Sequence, residues 1–119
     1  MSTDTTFAAL ADPTRRAILD LLREHASLTA GQIAARFPSL SRPAVSKHLG
    51  VLRRASLVRS RERGRENHYT LDALPLREVQ LAWLEQFAPH WEQSLERLKR
   101  LAESDRASDD DPDDRWDDR

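Results

Sequence analysis

The chain contains no cysteine among its 119 residues, which excludes disulfide bonds, thiolate metal sites and thiol redox chemistry together. It also lacks any apolar run approaching the roughly 18 residues that a membrane-spanning helix needs. Residues 1–6 are polar and carry neither a basic region nor an apolar signal core. We therefore expect a cytoplasmic protein and predict no membrane role.

Glycine is scarce as well: the three glycines lie far apart, at positions 31, 50 and 64. This spacing provides no glycine-rich phosphate loop, and the sequence shows no nucleophile elbow and no pair of metal ligands. The acidic residues that could pair for catalysis lie mainly near the C-terminus. We predict that the chain is not an enzyme and binds no cofactor.

Charge is present but unevenly distributed. The net charge of -1 averages an acidic C-terminal segment with a cationic remainder, and residues 36–65 carry nine basic side chains and one acid, Glu62. Such a block favours a polyanionic partner. The length predicts one folded domain, residues 1–103, followed by an acidic, disordered tail, residues 104–119. That tail is either a solubilising extension or a competitor with DNA for the cationic block.

Three helix starts follow one another in the first half of the chain. Asp12 provides a cap before Pro13, Thr29 lies three residues before Gln32 in a capping box, and Ser41 precedes a third helix that tolerates Pro43 in its first turn. Pro38 ends the second of these helices. The pattern predicts two short helices joined by a tight turn.

The third helix has two distinct faces. Val45, Leu49 and Leu52 fall together at about 100° per residue, while polar and basic side chains occupy another face. An ordinary amphipathic surface helix is the plain alternative. However, no acid occurs between Arg36 and Arg61, so the basic face lacks the i, i+4 partners typical of a solvated helix. The pattern favours a helix that reads the major groove of DNA.

A short hairpin is predicted after this helix. Residues 57–61 and 67–71 are extended runs, Tyr69 and Leu71 share one face, and Arg63-Gly64-Arg65 forms the turn. The arginines around the tip, at positions 59, 61, 63 and 65, are placed to reach a minor groove or flanking phosphates. A merely solvated hairpin is the alternative. The fold class is thus mainly α with a small β-hairpin, a winged helix-turn-helix.

The segments LADPTRRAILDLL, LTAGQIAARF, SRPAVSKHLGVLRRASLV and RERGRENHYTL, in this order over about residues 7–71, resemble the ArsR/SmtB family of bacterial winged-helix repressors. The resemblance implies a homodimer whose paired helices read an inverted repeat in duplex DNA, usually to repress a neighbouring operon. By position it places His48 at the edge of the DNA-contacting helix, touching the DNA backbone or packing against the wing. Gly50 departs from a position that often holds a long polar residue. The predicted DNA contacts are Ser41, Arg42, Pro43, Ser46, Lys47, His48, Arg53, Arg54, Arg61, Arg63 and Arg65.

The family's metal-sensing sites are missing. The short helix before the turn has no cysteine, and the C-terminal segment offers only His90 where the family's nitrogen and oxygen site needs several ligands. We therefore interpret His25, His48, His68 and His90 as surface, packing or DNA-edge residues and predict no metal. The chain is similar to the branch of the family without a recognised metal site.

The segment from Pro75 to Ala102 is predicted to form the dimer element. Its apolar residues recur at spacings of three and four, in a seam that so small a domain can hardly bury alone. Pro89 predicts a kink or a break. The alternative is a pocket for an apolar effector around that kink. The predicted dimer contacts are Phe7, Leu10, Trp83, Leu84, Phe87, Trp91, Leu95 and Leu98.

These features together predict a sequence-specific, duplex-DNA-binding transcriptional regulator that works as a homodimer. We expect a repressor, and autorepression is one form of this role. Two alternatives stay open. One is a winged helix used as a protein-interaction module, and the other is a repressor released by a small-molecule effector.

Overall fold

The computed structural model describes residues 3–107, and the chain divides between Ala82 and Trp83 into two units. The first unit contains, in chain order, α1 (Thr3–Leu10), α2 (Pro13–Arg23), β1 (Leu28–Thr29), α3 (Ala30–Ala35), α4 (Arg42–Arg54), β2 (Val58–Arg63), β3 (Glu66–Leu71) and α5 (Leu74–Ala82). The second contains a 3₁₀ turn (Leu84–Phe87) and α6 (Ala88–Ala107).

The three predicted helix starts are confirmed. Asp12 Oδ1 accepts from the backbone N–H of Thr14 at 2.7 Å and of Arg15 at 3.2 Å, which begins α2. The Thr29 hydroxyl accepts from Gln32 N at 3.1 Å while Gln32 Oε1 accepts from Thr29 N at 2.8 Å, which is the complete capping box of α3. Side chains therefore satisfy N–H groups that the first turn of a helix leaves without partners.

One apolar core joins these helices to the sheet. α4 contributes the apolar face that its spacing predicts, α2 and α3 contribute further apolar side chains, and burial of each such aliphatic side chain stabilises the fold by about 1.5–3 kcal/mol. The most deeply buried side chains are Ile18, Leu22, Ile33, Val45, Leu49, Leu52, Leu57 and Val58. The same core thus fixes α4 relative to α3 and to the hairpin.

The hairpin belongs to a three-stranded antiparallel sheet of order β1-β3-β2. Its predicted strands and turn are present, and β1 adds a third strand in which Leu28 pairs with Tyr69 and Thr29 with His68. Two residues are too few to show an alternating pattern, so the sequence did not predict β1. Because β1 leads directly into α3, the wing is hydrogen-bonded to the start of the helix pair.

The chain leaves α4 through a Schellman motif, in which Ser56 N–H bonds Arg53 O and Leu57 N–H bonds Leu52 O, both at 2.9 Å. Ser56 has a φ of 60°, a left-handed conformation usually taken by glycine. This sharp exit turns the backbone directly into β2.

The second unit shows the interruption predicted around Pro89. The 3₁₀ turn precedes α6, and Pro89 lies in the first turn of that helix, where its missing N–H costs no hydrogen bond. α6 runs to Ala107, four residues past the domain end predicted at residue 103. Residues 108–119, the rest of the predicted tail, lie outside the described residues. Within residues 3–107, no helix is long and apolar enough to cross a membrane.

Candidate nucleic-acid interface

The first two turns of α4 present a polar, cationic surface. Arg42, Pro43, Ser46 and Lys47 are exposed, whereas Val45 and Leu49 on the opposite side are 1% exposed. Ser41 also lies at this end, and its Oγ accepts from Ala44 N at 3.2 Å as the N-cap. The structure therefore separates a core face from a free face along α4, as predicted.

Arg42 lies over the start of α3 and beside the wing. A Cβ atom at Gly31 would be 3.9 Å from Arg42 Nη1, so the glycine leaves an open approach for the guanidinium. Arg42 also lines a cleft of about 380 Å³ whose walls come from α3, the end of β1 and the wing tip. The other lining residues are Thr29, Ala30, Gly31, Arg65, Glu66 and Asn67. This arrangement brings Arg42 and Arg65 to one cleft although they are 23 positions apart in sequence.

The wing presents its arginines on one face. Strand alternation places Arg59, Arg61 and Arg63 opposite the face that carries buried Val58 and half-buried Ser60. The tip turns at Gly64, whose φ of 64° suits the first central position of a two-residue hairpin turn. Arg61, Arg63 and Arg65 are exposed, and within the described part of the chain none of them forms an ion pair.

Two other arginines of the cationic block have intramolecular partners. Arg59 Nη2 and Nε both lie 3.0 Å from Asp72 Oδ2, at the end of the wing away from its tip. Arg53 Nη1 donates to Ser60 Oγ at 3.4 Å and so joins the end of α4 to β2. Arg59 thus has a structural role, and it does not belong with the tip arginines among which the sequence pattern placed it.

The side chain of Arg54 lies beside Gly50 on the surface of α4. A Cβ atom at Gly50 would meet Arg54 Nη1 at 3.4 Å, an ordinary contact with the far end of a flexible side chain. Gly50→Ala is therefore expected to raise the free energy of unfolding by about 1 kcal/mol through helix propensity. Urea unfolding measures this change as a shift of the midpoint, while the dependence of the unfolding free energy on urea concentration stays the same.

Gly64→Ala is the matched control for Gly50→Ala. Its φ of 64° is unfavourable for any residue with a Cβ, so we expect a loss of about 1–2 kcal/mol. A destabilising Gly50→Ala would contradict the geometry described for α4.

His48 contacts Arg15 on α2. Its Nδ1 is 3.5 Å from Arg15 Nη1, and the ring is half-buried. Sequence reasoning placed His48 at the edge of α4 but missed Arg15 altogether. The capped start at Asp12 fixes Arg15 on the first turn of α2, but no local pattern shows that this turn faces α4.

Asp12 and Asp72 each accept hydrogen bonds from backbone N–H groups, and the pKa of each carboxyl lies below its ordinary value. Burial works to raise the pKa of Asp12, but the N–H groups of Arg15 and Thr14 and the charges of His48 and Arg15 lower it overall. The Leu74 N–H lowers the pKa of Asp72 against partial burial, and Arg59 lowers it further. Both carboxylates contribute stability above the ordinary carboxyl pKa, and this stability is lost as the pH falls through their lowered values.

All of the predicted dimer residues except Leu10 are exposed. In the first unit, Phe7 is 37% exposed, whereas Leu10 packs against the core. In the second, Trp83 and Phe87 stack edge to face with ring centroids 4.9 Å apart. The exposed apolar residues of this unit are Trp83, Leu84, Phe87, Trp91, Leu95, Leu98 and Leu101. Within residues 3–107, no group of three or more His, Cys, Asp or Glu side chains is placed to hold a metal ion.

Comparison with known proteins agrees with this geometry. The Helix-turn-helix domain family matches residues 10–61, which span α2, α3, α4 and part of β2. The transcriptional repressor SdpR of Bacillus subtilis is 38% identical over 81 residues, which cover 68% of this chain and 87% of that protein. An HTH-type transcriptional regulator of Mycobacterium tuberculosis is 40% identical over 104 residues, covering 87% of this chain and 92% of that one.

A solved structure has the same fold. It is the ArsR-like transcriptional regulator from Rhodococcus sp. RHA1, with a TM-score of 0.63 and 36% sequence identity, covering 84% of this chain and 92% of its own. The similarity therefore extends beyond the helix-turn-helix over most of the chain.

Proposed function

Because this chain belongs to the ArsR family of winged helix-turn-helix transcriptional regulators, we propose that it is a repressor that binds an inverted-repeat operator as a homodimer. DNA binding and transcriptional regulation follow from the family. The repressor direction, the homodimer and the contacting residues constitute the proposal.

The observation that carries the proposal is the set of exposed cations at one end of α4 and on the wing. Arg42 and Lys47 are exposed at the start of α4, and Arg61, Arg63 and Arg65 are exposed at the wing. We assign sequence readout to Arg42, Ser46 and Lys47, because an arginine or lysine can bond guanine O6 and N7 and a serine can contact several base edges. The wing arginines bind phosphates or the adjacent minor groove, which sets register and orientation.

Ser41 and Pro43 support this readout from the backbone. Ser41 caps α4 by accepting a hydrogen bond from Ala44 N, and the helix N-terminus attracts a phosphate. Arg53 and Arg54 lie at the opposite end of α4, where their charges stabilise the helix dipole. In the proposal these two arginines act on DNA through long-range attraction, and Arg53 additionally holds the wing.

The homodimer is supported by the exposed apolar residues of the second unit. Trp91, Leu95 and Leu98 recur along α6 and are 44%, 60% and 61% exposed. Contiguous apolar surface of this kind marks an interface. A second copy of the chain presents the same surface, and two-fold pairing of identical surfaces is the commonest assembly of soluble proteins.

The repressor direction is supported by the relative SdpR, which is named a transcriptional repressor. We further propose that the protein regulates its own gene and that its concentration is the input signal. A small molecule that releases the protein from its operator would overturn this part of the proposal.

Selection of bound duplexes from random DNA tests the proposal as a whole. A dimer with one α4 in each of two major grooves is expected to select an inverted repeat whose half-site centres lie about 10 bp apart, or a simple multiple of that distance. Enrichment of single half-sites or direct repeats would contradict the homodimer. Absence of any enriched sequence would contradict sequence-specific repression.

A further inference from the structure

Arg15, in the first turn of α2, bonds two other helices of the first unit at once. Its Nε donates to Ala9 O at 2.7 Å and its Nη2 to Ala8 O at 2.9 Å, both in the last turn of α1. Its Nη1 lies 3.5 Å from His48 Nδ1 on α4. The side chain is only 16% exposed, so a single guanidinium joins α1, α2 and α4 inside the unit.

α1 is held by this capping together with its packing on α2 and α5. It has eight residues, too few for a helix that is stable by itself in water. The last four carbonyls of a helix have no intrahelical partner. Arg15 satisfies those of Ala8 and Ala9, and Arg16 Nη1 donates to Leu10 O at 2.6 Å. Two neighbouring arginines thus hold the end of α1 on α2, and of these two it is Arg15 that also reaches His48.

The same contact orients the His48 ring. Arginine only donates hydrogen bonds, so Nδ1 is the ring nitrogen that faces the guanidinium as an acceptor. Asp12 Oδ2 lies 4.0 Å from Arg15 Nη1 and partly balances the guanidinium charge beside the ring. His48 directly follows Ser46 and Lys47, the exposed residues of the DNA-facing surface. Nε2 is therefore the ring nitrogen of His48 that is left for an oxygen of DNA.

We propose that Arg15 is a positioning residue that couples α1 to the DNA-contacting helix through His48. A DNA oxygen bound by Nε2 holds the ring in the orientation that places Nδ1 against Arg15, so operator binding stabilises the docked α1. By thermodynamic reciprocity, the docked α1 strengthens operator binding. The inference rests on the proposed function, which identifies the ligand as operator DNA. It adds a link between α1 and α4 that the DNA-facing residues alone do not provide.

Hydrogen exchange of the free full-length protein tests the link without DNA. His48→Ala is expected to speed exchange of the α1 amides, because the ring that holds Arg15 in place is lost, while Arg15 itself is unchanged. Arg23→Lys is the matched control, because the Arg23 guanidinium pairs with Asp20 and Glu24. If His48→Ala leaves α1 exchange unchanged, the proposed link is wrong, whatever the protein does with DNA.

Operator affinity, measured by fluorescence anisotropy, tests the functional consequence. Arg15→Lys keeps the charge but loses the planar fork, and it is expected to weaken operator binding about threefold to thirtyfold, the range found for coupling residues away from a ligand. The salt dependence should be unchanged, because Arg15 does not contact phosphate. In the His48→Ala background, Arg15→Lys should change the affinity less than twofold.

The controls separate this inference from the proposed function. Arg23→Lys should leave operator affinity within twofold of the unsubstituted protein. Equal losses from Arg15→Lys in both backgrounds, or an equal loss from Arg23→Lys, would overturn coupling through His48. If the unsubstituted protein binds specific and shuffled duplexes equally, the proposed function fails, and the exchange measurement still decides whether His48 and α1 are linked.

Discussion

Trp91→Glu combined with Leu95→Glu is expected to leave a folded monomer whose operator affinity is lower by a factor of about 100 or more. Both side chains are exposed in the isolated chain, at 44% and 60%, so their replacement leaves the core intact. In a homodimer they would be buried against a second copy, where unpaired carboxylates are strongly unfavourable. A monomer binds one half-site and loses the hundredfold or greater gain from linking two sites.

Sedimentation velocity and anisotropy on the same samples measure both effects. The matched control is Gln93→Glu with Arg97→Glu, which also places two glutamates four residues apart but at exposed positions on the polar side of α6. We expect this control to stay dimeric. If the protein with Trp91→Glu and Leu95→Glu remains dimeric, the apolar residues of α6 are not the dimer interface.

Arg42→Ala combined with Lys47→Ala is expected to reduce operator affinity by two orders of magnitude or more. Each side chain is exposed at the start of α4 and is proposed to contact a base or a phosphate. A lost base contact costs about 1–3 kcal/mol, and a lost phosphate contact also lowers the salt slope by about 1. Every operator-bound dimer carries both substitutions twice, which enlarges the effect.

Arg23→Ala combined with Arg77→Ala is the control for this loss of charge. Both arginines are exposed, on α2 and α5, and neither belongs to the cationic surface described above. We expect the control to keep most of the operator affinity. If both double substitutions weaken binding equally, only the total charge matters and α4 does not read the sequence. If the Arg42 and Lys47 protein keeps DNA binding but loses a protein partner, the surface is a protein-interaction module.

The sequence predicted the elements whose signals are local. Thr29 and Gln32 lie three residues apart, and Asp12 stands directly before Pro13, so each helix start depends on neighbours in the chain. The buried face of α4 follows from helical spacing, and the break before α6 follows from the effect of Pro89 on the backbone. In each case, the residues that determine the element lie within one short segment of the chain.

Contacts between distant segments were outside the reach of sequence reasoning. β1 is defined by its pairing with β3, because Leu28 and Thr29 have no pattern of their own. Arg15 and His48 are 33 positions apart and meet only after α2 and α4 pack on the shared core. Arg59 was grouped with the wing tip because strand periodicity gives the face of a side chain but not its ion-pair partner, Asp72.

The pairing of two copies is likewise a long-range property. Spacing along α6 predicts an apolar seam but not the partner that covers it. The exposed side chains of the second unit are consistent with that seam and set the positions at which the proposed interface can be tested.

The central claim is sequence-specific binding of duplex DNA through α4 and the wing. Fluorescence anisotropy across a salt series, with the DNA upstream of the protein's own gene compared with a shuffled duplex of equal length, tests it most directly. We predict binding to the upstream DNA that is tighter by about a thousandfold, with a steep salt slope. Equal and weak binding to both duplexes would contradict the proposed autorepressor and would require either an operator elsewhere or another partner for the cationic surface.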